Sequence, residues 1–474
     1  MLSEKLISLL KTFSKYELNR LRKFLQSPYF NDQEDVIRLF ELINTALRKG
    51  ESGAALLNKE RIWSDLYPKR KMDDAHLRRL SSDLNQLTLR FFVEENRSKD
   101  YVHDALELQR ALSKPELKKQ LESVERQLQR HFEGIQAKSA QTYLAQFNLY
   151  LSIFNNASKT VAISDLVDKM LPADHFLESF YIIQKLKFYV NWLMFRGFRS
   201  TPVEMQVMPG FWEYINTGKY TEIPLIVIYR NVVLCLTESN EERHFQDLLD
   251  NLERFADDLT KEDLRECYQI AQNYCAFKVN QGRTEYNKVM FGLFRQSIRL
   301  KILLEDDILQ EGIFKNIITI SLVVGEYEWA EQFIQEYAGY LPSDIRENAR
   351  TFNLANLYFF QKKYDRVIEL LQNVEYSDVV YALSAKFVLV RTYYETEEFM
   401  ALDSLIDSFR IFLRRNKLIS KTFKTEYNNF LLFVKKLSIL PPGNPKAVAQ
   451  LRGQIERCNA VVTKKWLLEK IDAF

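Results

Sequence analysis

The chain has 474 residues, 46% apolar and 27% charged, with only 13 Gly and 11 Pro. That length exceeds one small core, and so few breakers predict a folded, mostly helical protein rather than a disordered, collagenous or disulfide-stapled one. The net charge of +3 is uneven: residues 1–130 carry +5, residues 131–409 carry −12 and residues 410–474 carry +10. A basic end beside an acidic middle is either a solvated face or a surface that steers an acidic partner.

Met1 to Phe13 is interrupted by Glu4, Lys5 and Lys11, so it reads as an amphipathic helix rather than a signal peptide. Ser14-Lys15-Tyr16-Glu17 is a capping box, and the helix it opens should stop at Ser27-Pro28. Asn31 to Glu34 then caps a helix whose apolar face is Val36, Leu39, Phe40 and Ile43. A polar stretch, Lys49 to Asn58, separates it from Arg61 to Leu66. After Pro68, a helix from about Asp73 to Phe92 aligns Leu77, Leu80, Leu84, Leu87 and Phe91.

Asn96 to Asp100 is a polar break and ends a first domain, residues 1–100. Divergent helical hairpins are expected over 101–260. Ser113 to Glu116 starts one helix, and residues 139–156, 174–196, 223–238, 243–258 and 261–280 carry the others. None shows strand alternation over a useful length. Phe198 to Met208 is a candidate loop or joint. Lys185 to Arg199 interleaves basic and aromatic residues, which suits either base stacking or a buried helix with snorkelling charges.

From 261 to 412 the pattern becomes periodic. Tyr327, Tyr364 and Phe399 each close a helix-to-helix turn, 37 and 35 residues apart. Such spacing predicts stacked helical hairpins. The run from Asn353 to Glu369, with Leu354-Ala355, Tyr358, Tyr364 and Val367, resembles the tetratricopeptide repeat. The preceding unit resembles it at Ile317-Ile318, Gly325, Tyr327, Ala330 and Pro342, but has Ser321 where an aromatic is usual. The following unit does so at Leu389-Val390, Tyr393 and Phe399, with bulky Leu402 in place of a small residue. Upstream, Gly282 and Tyr286 fit out of register by a couple of residues. Ser14 to Asn31 resembles the opening of some bacterial proteins of this repeat type.

The resemblance implies an all-α fold: an N-terminal helical bundle, then a tetratricopeptide-like α-solenoid, with capping helices over 413–474. It implies a scaffold that holds a protein or peptide in its concave groove. Lys315, Asn353, Asn356 and Arg391, on the first helices of three hairpins, are the groove candidates it supplies. Thr319, Ser384 and Val388 replace other members of the family's carboxylate clamp. A helix from about Lys446 to Asp472 should cap the stack, with Val448, Leu451, Ile455, Val462, Trp466 and Ile471 inward.

Chemistry-bearing motifs are sparse. There is no phosphate-cradling Gly-rich loop, and the five His form no metal-spaced cluster. Four Cys without CxxC spacing suit a reducing, cytoplasmic compartment. No cofactor, metal or catalytic group is expected, and no apolar run is long enough to span a bilayer. Asn156 begins a glycosylation sequon, inert without a secretory signal. The rival function is transcriptional regulation: Arg61 to Tyr67 followed by His76 to Leu84 resembles a regulator-type winged helix, with Lys69, Arg70, Lys71, Arg78 and Arg79 as phosphate or base contacts. No pair of strands follows Phe92 to form a wing, and Asp73, Asp74 and Asp83 dilute the charge, so nucleic acid is the less favoured partner.

Overall fold

A computed structural model describes residues 3–49, 56–97, 99–157, 162–196, 204–372, 379–441 and 443–474. The expected polar stretch after Lys49, the loop from Phe198 and the end of the sequon lie largely outside the described residues. Those described are all-α: they contain no β-strand, only an isolated bridge between Glu305 and Ile308. No described helix is long and apolar enough to cross a membrane.

By its internal contacts the chain divides into two compact units, Met1–Ile182 and Ile183–Phe474. The division falls inside the helix Ile163–Phe195, which starts well before the expected residue 174 and carries Pro172 in its interior. In the first unit, the helices Glu4–Lys11, Lys15–Leu25, Glu34–Arg48, Lys59–Leu66 and Asp74–Arg97 close over one core from Leu6 to Phe91. The Ser14 capping box forms: Ser14 accepts from the Glu17 N–H, and Glu17 accepts from the Ser14 N–H at 2.8 Å. Asn31 does not cap the next helix. It is buried, donating to the Leu25 carbonyl at 2.9 Å and accepting the Gln33 N–H at 3.1 Å, so it closes the turn instead.

In the second unit, each turn aromatic is the first residue of a helix. Glu311–Val324 pairs with Tyr327–Tyr337, Arg346–Phe360 with Tyr364–Leu371, and Val379–Glu395 with Phe399–Arg415. Two residues before each aromatic stands a left-handed residue: Gly325 (φ 86°), Lys362 (φ 58°) and Glu397 (φ 57°). The next N–H then reaches back five residues: Glu326 to the Ser321 carbonyl (2.9 Å), Lys363 to Tyr358 (2.8 Å) and Glu398 to Tyr393 (3.0 Å). This is the Schellman closure, which satisfies carbonyls the helix end leaves free. Adjacent first helices pack on one another, and one continuous core runs from Phe291 to Ile471.

The upstream hairpin, Lys261–Asn280 with Tyr286–Arg299, has the same closure at Gly282, where Arg283 reaches the Lys278 carbonyl at 3.0 Å. Thr284 and Glu285 then intervene before Tyr286, which accounts for its shifted register. The expected C-terminal capping helix is two helices, Pro445–Arg457 and Lys464–Ile471. The segment between them is held away from helical geometry: Asn429 donates to the Ala460 carbonyl at 2.8 Å, and Thr463 is left-handed. Leu451, Ile455, Trp466 and Ile471 are buried as expected, while Val448 and Val462 are half-buried.

Candidate partner-binding face

The first helices of the three hairpins, Glu311–Val324, Arg346–Phe360 and Val379–Glu395, carry the four groove candidates. Lys315 is exposed and Asn356 half-buried. Asn353 lacks the exposure a ligand contact needs. Its side chain is 2% exposed and donates to the Ala349 carbonyl one turn back at 2.7 Å. A buried amide has to find such a partner, and here the helix backbone supplies it. Near their N-terminal ends, the first and third of these helices meet. The Tyr381 hydroxyl donates to Glu311 Oε1 at 2.5 Å, and its ring lies edge-on to Phe352.

Arg391 is enclosed by rings. Its guanidinium carbon lies 4.1 Å from the centre of Phe359, 5.3 Å from Trp466 and 5.7 Å from Phe387. Its Nε is buried without a hydrogen-bond partner. Burial pushes its pKa down to about 10, against the opposing field of Glu395. Aromatic faces offset part of the lost hydration of the cation. Glu395, one turn on, is taken by the last helix: Trp466 donates its indole N–H to Oε1 at 2.9 Å, and Lys470 pairs with Oε2 at 2.6 Å. The C-terminal helix therefore occupies the Arg391 end of this face. Lys315 is exposed and Asn356 and Arg391 are half-buried, but the Arg391 guanidinium is already engaged by rings.

Other polar clusters are structural. Lys187 Nζ lies 2.7 Å from Asp263 and 2.8 Å from Glu266, above the Tyr229 ring. Burial disfavours its charge, but those two hydrogen bonds outweigh it and hold the ammonium pKa above the ordinary value. Lys187 is therefore held in a buried ion pair rather than snorkelling to water, and Phe188 and Phe195 are exposed, while Arg196 lies over Trp192; Phe198 and Arg199 lie outside the described residues. Burial pushes the Cys235 and Cys275 thiols up to about 12, so neither is a ready nucleophile. No group of His, Cys, Asp and Glu among the described residues could hold a metal ion.

In the N-terminal basic cluster, Arg78 is ion-paired with Asp74, which Lys59 also holds at 2.8 Å. Trp63 is buried and donates to the Arg70 carbonyl at 3.0 Å. Arg79 is exposed. No strand follows Asp74–Arg97 among the described residues, so nothing there stands as a wing.

Glu395, Lys470 and the neighbourhood of Trp466 were not legible as one site in the sequence. Glu395 stands one turn after Arg391, but the helix that covers both lies some 70 residues downstream. Comparisons with protein-family models, with curated proteins and with solved structures give no match.

Proposed function

We propose that the chain is a tetratricopeptide-like helical-repeat scaffold, an α-solenoid whose second unit holds a protein or peptide and catalyses no reaction. The observation that supports it most is the threefold recurrence of one turn, with a left-handed residue two positions before an aromatic that opens the second helix. Repeated hairpins with a common core give a rigid, preorganised surface, so a ligand is bound with little ordering cost. Lys315 and Asn356 are the groove contacts we assign, each worth about 0.5–1.5 kcal/mol net, or more where charge assists. Free, largely buried thiols favour a cytoplasmic location.

The test is capture at native salt, with and without nuclease, by wild type and by the pair Lys315→Glu and Asn356→Arg. A stoichiometric protein partner should survive nuclease and be lost from the variant with an unchanged melting temperature. Recovery that depends on nucleic acid would favour regulation by DNA binding instead.

A further inference from the structure

The three second helices differ in length. Tyr327–Tyr337 and Phe399–Arg415 run 11 and 17 residues, but Tyr364–Leu371 runs only 8. A cleft of ≈ 730 Å³ reaches from Leu371 across Val379–Glu395 to Phe399–Arg415. Its walls include Ala382 and Ala385 on one helix and Ala401, Ser404 and Ser408 on the other. Small side chains at such spacing let a further helix approach closely, as ridges enter grooves.

One charged group enters this cleft. Lys386 stands thirteen residues before its turn aromatic, Phe399; the equivalent residues of the first and second hairpins are Phe314, fully buried in the core, and Thr351, half-buried. Lys386 is half-buried, with its ammonium 5.8 Å from the centre of the Phe412 ring. No carboxylate of the described residues pairs with it, and burial pushes its pKa down. A cation placed where a sister repeat has a phenyl ring is costly unless something anionic meets it there.

We propose that this cleft docks an amphipathic helix of a partner protein, which sets a carboxylate against Lys386. This rests on the scaffold reading and adds a second surface, distinct from the face that carries Lys315 and Asn356. The apolar side of the incoming helix lies along half-buried Ala382, Ala401, Leu405 and Phe412, the usual helix-in-groove mode. Its acidic flank supplies the counter-ion, so Lys386 selects against neutral and basic helices.

The experiment uses three fluorescent helix-forming peptides, each about four turns long, with one shared leucine face and Glu, Gln or Lys on its flank. Fluorescence anisotropy with the full chain should rank them Glu, Gln, Lys, with about tenfold or more between the first and last. Lys386→Met keeps the apolar stem and should abolish the preference. Lys386→Glu should reverse it. A ranking unmoved by both substitutions, or no binding by any peptide, overturns the inference. So does binding of the Glu peptide only after Glu375→Gln and Asp378→Asn, two acids of the segment 373–378 outside the described residues, which would make the chain's own acids the occupant. If all peptides fail while a partner is still captured through Lys315 and Asn356, the scaffold stands and this second surface does not.

Discussion

The N-terminal helices and the three hairpins from Glu311 to Arg415 are punctuated by different physics. In the first region, side chains do the work. Ser14, Asn58 and Asp100 each accept a backbone N–H at a helix start, and the helix before Pro28 stops short of it. In the hairpins, Glu326, Lys363 and Glu398 precede the second helices without any side-chain cap. There the backbone closes the turn, and Gly, Lys and Glu all adopt left-handed angles. Side-chain capping demands a residue type; Schellman closure demands only a conformation. The repeat therefore preserves its spacing while its turn residues vary.

The largest effect should come from the hairpin core. Ala355 is fully buried where paired helices approach, beside half-buried Tyr358. Ala355→Trp should cost about 1–3 kcal/mol or more by overpacking, measured by urea denaturation. An unchanged midpoint would mean that the hairpins are not registered as described.

Next comes Gly325. A Cβ there would meet nothing within 4 Å, so the cost of Gly325→Ala is purely that of the left-handed backbone. It should be about 1–2 kcal/mol. No loss of stability would show that this turn is not locked by its angle.

The N-terminal counterpart is Ser14→Ala, which removes the capping-box acceptor. It should cost about 1 kcal/mol, seen as a lower melting temperature with unchanged helix content. Ser14→Gly should recover most of the loss. A full loss in the Gly variant would point to a role beyond capping, since Ser14 also donates to Glu17 at 2.8 Å.

Much of the helical punctuation was legible in the sequence because its causes are local. The Ser14 box and the starts at Tyr327, Tyr364 and Phe399 depend on a handful of neighbouring residues. Tyr286 was displaced in the pattern because two residues follow the Gly282 closure before its helix begins. Less of the face was legible. Asn353 and Asn356 are three residues apart, yet one turns into the core and the other to the rim, a helix-phase difference that polarity does not reveal. The surroundings of Arg391 depend on Trp466, which arrives through tertiary packing. Lys386 carries no signal of its own in the sequence, because its surroundings are set by packing of Val379–Glu395 against Phe399–Arg415.

The central claim is that three hairpins share one turn, and the two non-glycine turns test it most directly. Lys362 and Glu397 hold left-handed angles that glycine adopts without strain. Lys362→Gly and Glu397→Gly, each followed by urea denaturation, should raise stability by about 0.5–1 kcal/mol, with the relief of strain exceeding the entropy glycine adds to the unfolded chain. The two gains should agree within about 0.5 kcal/mol and add in the double variant, since the sites lie in separate turns. A loss of stability at either position, or a gain at one alone, would contradict the equivalence of the turns.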